Sequence, residues 1–283
     1  MPELPEVEVL VRHLAPLVEN RKIQSVDVRR ERIVSPTTVK EFSRKLRDAT
    51  FIQLSRRGKY LLFELRGRRG APFLLIGHLG MTGRMYLLPV KIVLPKHAAV
   101  VLNLGPENFV FEDTRYFGRL TLDASAVEVL GPEPLGDDFT VEYFSRALQR
   151  SAQPVKIKLL DQSLVAGVGN IYASEALFRA GIAPQLPARR LKPEQVARLR
   201  QSIRDTLTEA IERGSTVPLS FSGDGNRDGL FYFGSAPGAP DFYEERLRVY
   251  DRAGKPCVTC GSPIKRIVQG ARSTFYCPTC QKK

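Results

Sequence analysis

Cysteine is missing from this chain until position 257, and the four present lie in the C-terminal tail as Cys257-x2-Cys260 and, sixteen residues on, Cys277-x2-Cys280. The lack of any other cysteine argues against a disulfide framework. Two CxxC pairs at this spacing instead bring four thiolates to one tetrahedral Zn2+, leaving no position for a water. One structural zinc ion is therefore expected, folding the tail and doing no chemistry. No apolar run reaches the about 18 residues of a membrane span, and the N-terminus is acidic where a secretion signal is basic. A cytoplasmic or nucleoid location without membrane contact is expected. Low-complexity tracts and internal repeats are absent too. Acidic side chains are in deficit, 30 against 43 basic ones, for a net charge of +13. That balance suits a polyanion such as nucleic acid. Over half the excess sits in residues 245–283, which hold nine basic and two acidic side chains.

What is present begins with Met1-Pro-Glu-Leu-Pro-Glu-Val-Glu-Val-Leu10. Removal of Met1, which the small Pro2 permits, leaves a secondary amine with the Glu3 carboxylate beside it. An α-amino group titrates near pH ~8, so a useful fraction is nucleophilic at neutral pH. Attack on a sugar C1′ by a secondary amine gives an iminium, cationic without further protonation. The same residues also suit a plain helix start, with Pro5 in the first turn and Glu3, Glu6 and Glu8 at the positive end of the dipole. Val7, Leu10, Val11, Leu14 and Val18 then recur at helical spacing.

With 283 residues the chain can build two domains. From Ile23 to about Leu122, short runs rich in β-branched and aromatic residues (23–28, 51–54, 60–65, 73–79, 98–104, 109–113) predict an antiparallel sandwich or barrel. Ser55-Arg-Arg-Gly-Lys59-Tyr reads as a basic turn that presents Lys59 to a phosphate, or as an ordinary solvated hairpin. His78-Leu-Gly-Met81-Thr-Gly-Arg84 reads as a glycine-broken strand whose Met sits in the core at a bulge more often than it acts as a wedge. Asp113-Thr-Arg115-Tyr-Phe117-Gly sets a cation beside an aromatic, a pair able to enter a nucleic-acid stack. A Pro/Gly-rich linker follows at 131–140. Helices are then expected around 141–148, 155–160, 171–179 and from Pro193 to about 213, with Asn170 capping the third and Gly181 closing it. The glycine turn at 165–170 can offer backbone N–H groups to a phosphate. Residues 215–244, with many Gly, Ser and Pro, read as a spacer or a lid.

Taken in order, Pro2-Glu-Leu-Pro-Glu-Val, Arg57-Gly-Lys59-Tyr, His78-Leu-Gly-Met-Thr-Gly, Asp113-Thr-Arg-Tyr-Phe-Gly, Gly131-Pro-Glu-Pro-Leu, Gly167-Val-Gly-Asn-Ile-Tyr-Ala-Ser-Glu and Arg272-Ser-Thr-Phe-Tyr-Cys-Pro-Thr-Cys resemble the bacterial formamidopyrimidine-DNA glycosylases, collinearly from residue 2 to 282. The resemblance implies an α+β architecture: a β-sandwich with an N-terminal helix (1–130), a helix–two-turn–helix domain (141–214), a lesion-capping loop (215–244) and a zinc finger (245–283). It implies excision of oxidised purines from damaged double-stranded DNA with cleavage of the strand, by a monomer. Pro2 inherits the nucleophile's role, Glu3 that of the acid protonating O4′, and Glu6 that of a supporting carboxylate. Lys59 matches the proton donor of β-elimination, and Arg272 the finger arginine of δ-elimination. Met81, Arg115 and Phe117 match the residues that fill the gap left by an everted base. Lys156 and Asn170 match phosphate contacts.

The chain departs from the pattern at three places. After Lys96-His97 it has Ala98-Ala99 where the family usually has Asp-His, leaving His97 as the DNA contact there. Tyr116 stands where a basic residue is common, and Ser151 where lysine is common, so Arg150 is the expected substitute. Two rivals remain: a paralogue for oxidised pyrimidines, which usually has Gly where this chain has Leu4, and a silent damaged-DNA-binding protein, against which the retention of Pro2, Glu3, Lys59 and Arg272 argues.

Overall fold

The computed structural model describes residues 2–214 and 247–282. The loop read as a lid at 215–244 lies outside the described residues. Among those described, one compact unit holds Pro2, Glu6–Glu128 and Gly214, and a second holds Glu3–Pro5, Val129–Arg213 and 247–282.

In the first unit the expected sandwich is present. Helix α1 (Leu4–Val18) buries Val7, Leu10, Val11, Leu14 and Val18, the stripe that the 3-4 spacing requires. After β1 (Ser25–Val28) come two helices, α2 (Glu31–Val34) and α3 (Val39–Leu46). Thr38 caps α3, its hydroxyl accepting the Glu41 N–H at 3.2 Å. Then follow β2 (Thr50–Arg57), β3 (Tyr60–Arg66), β4 (Pro72–His78), β5 (Gly83–Pro89), β6 (Ala98–Asn103), β7 (Glu107–Asp113), β8 (Arg119–Thr121) and α4 (Ser125–Glu128). They form two four-stranded antiparallel sheets, ordered β1-β6-β7-β5 and β2-β3-β4-β8. Alternation directs Phe51, Phe63 and Leu75 from one sheet and Phe109, Phe111 and Met85 from the other into one core. On the opposite face of the β1-β6-β7-β5 sheet, Tyr86, Leu88, Ala98, Val101 and Val110 form a smaller cluster. Burial on both faces explains why β6 reads as an unbroken apolar run.

The second unit contains α5 (Val141–Gln149), α6 (Val155–Leu159), α7 (Asn170–Arg179) and α8 (Pro193–Gly214), the four helices expected. Val196, Leu199, Ile203 and Leu207 of α8 are buried in its core, and Gly181 closes α7 at φ +68°. The tail adds a hairpin, β9 (Lys265–Gln269) and β10 (Arg272–Tyr276), turning through Gly270 and Ala271 at φ +54° and +58°. Two consecutive left-handed residues make a tight turn whose twist matches that of the strands.

Two local expectations fail. Residues 78–84 are not a bulge with a core Met: 79–82 form the turn from β4 to β5, and Met81 is 42% exposed. Asn170 does not cap α7, because it is the first helical residue and its side chain is engaged elsewhere.

Candidate active site

In the second unit, Glu3 does the capping. Its Oε1 accepts the Ile171 N–H at 2.9 Å and its Oε2 the Tyr172 N–H at 3.3 Å, with the residue only 2% exposed. A carboxylate there meets both the orphan donors and the positive end of the α7 dipole. The Leu4 N–H bonds the Gly167 carbonyl at 3.1 Å, so the glycine turn grips the chain just beyond Glu3. A Cβ on Gly169 would overlap the Glu3 carboxyl group.

Relieved of capping, Asn170 accepts from the Lys156 ammonium at 2.6 Å and donates through Nδ2 to the Ser273 carbonyl at 3.0 Å. Lys156 is fully buried and also donates to the Ser273 carbonyl at 3.0 Å and Thr274 Oγ1 at 2.8 Å. Its three N–H groups thereby hold the strand that follows Arg272, and a phosphate contact would require one of these bonds to be given up. Burial pushes its pKa down to about 8, with Glu3 opposing the shift and Arg272 adding to it. Arg272 is exposed at the start of β10, directly after the tight turn. Arg150 is exposed at the C-terminal end of α5, on a separate element.

Glu175 anchors the chain entering the finger: its carboxylate accepts the N–H groups of Arg248, Val249 and Tyr250 at 2.9, 2.9 and 2.8 Å. Burial raises its pKa against these bonds. The four cysteine sulfurs converge within 4.8 Å of one another, with Cys260–Cys277 at 3.5 Å and Cys257–Cys280 at 3.9 Å. Backbone N–H groups of Thr259 and Cys280 point at the Cys257 and Cys277 sulfurs at 3.4 Å. This is a metal-binding knuckle.

In the first unit, Gly58 and Lys59 are the two-residue turn between β2 and β3, with Gly58 at φ +57°. Lys59 is only 7% exposed, which rules out a solvated hairpin tip. Across the β3–β4 pair, the Tyr60 and His78 rings lie 4.8 Å apart. The Gly80 N–H donates to His78 Nδ1 at 3.2 Å, placing the proton of the neutral ring on Nε2. Burial first, then the charges of Lys59 and Arg119, lower the His78 pKa to about 4.

Met81, Arg115 and Phe117 occupy two adjacent turns, with the Arg115 guanidinium 5.2 Å from the Phe117 ring centre and Phe117 46% exposed. Between them Tyr116 adopts φ +53°; Arg30 lies 4.9 Å over its ring, and its hydroxyl is 3.1 Å from His97 Nδ1. Tyr116 therefore contacts two basic side chains, Arg30 and His97. Pro2 and Glu6 are buried.

Residues 1–120 match the formamidopyrimidine-DNA glycosylase N-terminal domain, residues 130–220 the formamidopyrimidine-DNA glycosylase H2TH domain, and residues 254–283 a zinc finger found in FPG and IleRS. The chain belongs to the formamidopyrimidine-DNA glycosylase family. It is 41% identical over 288 residues to the formamidopyrimidine-DNA glycosylase of Thermus thermophilus, covering 99% of this chain and 98% of that one. With the enzyme of the same name from Pelotomaculum thermopropionicum it shares 40% over 291 residues, covering 100% and 99%. The structure is similar to that of Lactococcus lactis Fpg in complex with DNA containing an abasic site, at a TM-score of 0.86 and 33% identity over 99% of this chain and 100% of that one.

Within this DNA glycosylase, sequence reasoning passed over Asp113, Glu175, Tyr250 and Thr274. Burial raises the Tyr250 pKa, with Asn170 opposing the shift and the Glu3 charge adding to it. Glu175 could have been noticed as a carboxylate in the middle of an otherwise apolar helix, Ile171 to Phe178. Tyr250 and Thr274 carry no such signal, because their partners are distant in the chain.

Proposed function

We propose that this glycosylase removes oxidised purines, 8-oxoguanine and formamidopyrimidines, from damaged double-stranded DNA and then cleaves the strand. The Pro2 amine, exposed once Met1 is removed, attacks C1′ and the base departs. Glu3 protonates O4′ so that the sugar ring opens, and the Schiff base labilises the C2′ proton. Loss of that proton expels the 3′ phosphate with Lys59 as proton donor, and a second elimination assisted by Arg272 expels the 5′ phosphate. A one-nucleoside gap with phosphate on both ends remains.

The observation that supports this reading best is the Glu3 carboxylate, one residue after Pro2, held on two α7 N–H groups inside a protein interior. Glu6 serves as a buried supporting carboxylate. Met81, Arg115 and Phe117 fill the space left by the extruded base, since a base cannot be attacked at C1′ while stacked. His97, Arg150 and Asn170 contact phosphates, with Lys156 supporting Asn170. The knuckle holds one structural Zn2+: a tetrahedron of thiolates at about 2.3 Å has edges of about 3.8 Å, near the sulfur separations of 3.5 and 3.9 Å. The enzyme acts as a monomer, divided at 1–130, 131–140, 141–214, 215–244 and 245–283.

Borohydride trapping on duplex DNA containing 8-oxoguanine tests the mechanism. A covalent adduct is expected with the wild type; because the primary amine of Pro2→Gly can itself form an imine, that variant is read by base release, which should be strongly slowed, and release at the wild-type rate would count against the Pro2 amine. An intact mass still including Met1 in an active preparation does the same. Parallel excision rates on an oxidised pyrimidine set the substrate class, with faster purine release expected.

A further inference from the structure

We infer that Asp113 and Thr82 are positioning residues that fasten the Met81 turn to the Arg115–Phe117 turn, so that the three gap-filling side chains act as one body. The inference rests on the gap-filling role proposed above for those three residues.

Asp113 ends β7 and is completely buried. Its Oδ1 accepts the Thr82 hydroxyl at 2.6 Å and the Arg115 N–H at 3.1 Å, and its Oδ2 accepts the Gly118 N–H at 2.8 Å. Thr82 Oγ1 in turn accepts the Arg115 N–H at 3.2 Å. One carboxylate thus reaches both ends of the 115–118 turn and crosses to the neighbouring turn. Burying a carboxylate is costly, and nothing in the strand pairing calls for it: Gly83 already pairs with Asp113 through the backbone. An apolar residue would fill the volume without the desolvation cost but would leave the two turns unconnected.

The backbones are in contact as well. Gly80 sits at φ +60°, and a Cβ there would come within 2.6 Å of the Gly118 nitrogen and 2.7 Å of the Phe117 carbonyl carbon. A Cβ on Gly118 would stand 2.9 Å from the His78 carbonyl oxygen and 3.1 Å from Asp113 Oδ2. From this close-packed base only the tips emerge, Met81 at 42% and Phe117 at 46% exposure. Exposed apolar side chains on a fixed base enter a base stack without first losing loop entropy, which two independent turns would have to lose on insertion.

The test compares Thr82→Val, which keeps the shape and removes the hydroxyl, with Thr82→Ser, which keeps the hydroxyl. Stopped-flow fluorescence of 2-aminopurine beside the lesion reads disruption of the stack, single-turnover excision reads chemistry on the duplex, and borohydride trapping on a single-stranded abasic oligonucleotide reads chemistry where no stack opposes it. For Thr82→Val, loss of one bond to a charged group predicts stack disruption and duplex excision slowed about tenfold, with trapping on the single strand retained and Thr82→Ser restoring the duplex rates. Asp113→Asn, which turns an amide NH2 toward a donor, should show the same selectivity. Equal losses on both substrates, or wild-type stack disruption in Thr82→Val, overturn the inference. Met81→Ala separates this from failure of the underlying reading: if Met81→Ala slows disruption and Thr82→Val does not, only the fastening is wrong, whereas wild-type behaviour of Met81→Ala removes the gap-filling role itself.

Discussion

The Glu3 carboxylate caps helix α7 from 168 positions away in sequence, accepting the Ile171 N–H at 2.9 Å. Capping from a distance ties the position of the residue after Pro2 to a rigid helix instead of a terminal strand of chain. It also leaves the Asn170 side chain available for Lys156 and Ser273, so one arrangement organises both the chain start and the hairpin of the finger.

Gly169→Ala tests the dependence of Glu3 on its cradle. The glycine backbone, at φ −130° and ψ −157°, is accessible to alanine, so the cost is the collision of the new methyl with the Glu3 carboxyl and not backbone strain. Excision should fall at least about a hundredfold, since displacement by an ångström can cost that much, while the melting temperature drops only a few degrees. Wild-type excision would mean that the position of Glu3 is not set by α7.

His78 predicts a specific pH response. Its folded pKa is depressed from 6.5 to about 4, mainly by burial and then by Lys59 and Arg119. The unfolded chain therefore binds more protons between those values, and the stability that neutral His78 supplies is complete above pH 6.5 and lost as pH falls toward 4. The contribution is up to about 3 kcal/mol. Thermal melts from pH 7 to 4 should show the wild type losing stability more steeply than His78→Gln, and parallel curves would count against a buried neutral imidazole.

Much of this was legible beforehand because short-range pattern decides it. The α1 stripe, the six apolar runs that became strands and the Cys257 to Cys280 spacing each carry their information locally. Strand β5 was not legible: Met85 and Leu87 face one core while Tyr86 and Leu88 face another, so no alternation marks it. Helix α3 places four charged residues around Phe42 and Leu46, too little apolar surface to stand out. The site was legible as motifs but not as geometry. Asp113 sat inside a motif read for its Arg–aromatic pair, and its bond to Thr82 spans 31 positions. Asn170 had the right residue type and place for a cap, but a carboxylate from the chain start took that role.

Metal removal should act through structure. The finger's apolar cluster is small, comprising Phe178, Val249, Ile264, Phe275 and the buried Cys257 and Cys277, and a module of this size depends on its ion for folding. Chelation or Cys277→Ser should release one zinc per chain by mass spectrometry and weaken duplex binding at least about tenfold, the loss expected when a metal-ordered segment carries phosphate contacts. Full duplex affinity with zinc absent would separate the finger from DNA binding.

Lys156→Met removes a buried ammonium from three acceptors at once. Taking the donor from the Thr274 hydroxyl and the Asn170 amide oxygen, and leaving the Ser273 carbonyl with the Asn170 Nδ2 donor alone, should cost about 3 kcal/mol and speed hydrogen exchange in β10. Because the folded pKa lies near 8 against an ordinary 10.5, the unfolded chain binds more protons between those values. Wild-type stability should therefore rise relative to Lys156→Met as pH increases from about 8 to 10.5. DNA binding distinguishes an interior tie from a phosphate ligand. A lost phosphate contact flattens the dependence of log affinity on log salt by about 0.9, whereas loosening the hairpin lowers affinity at every salt concentration with the slope unchanged. The unchanged slope is expected, because all three donors of the ammonium are already committed inside the protein.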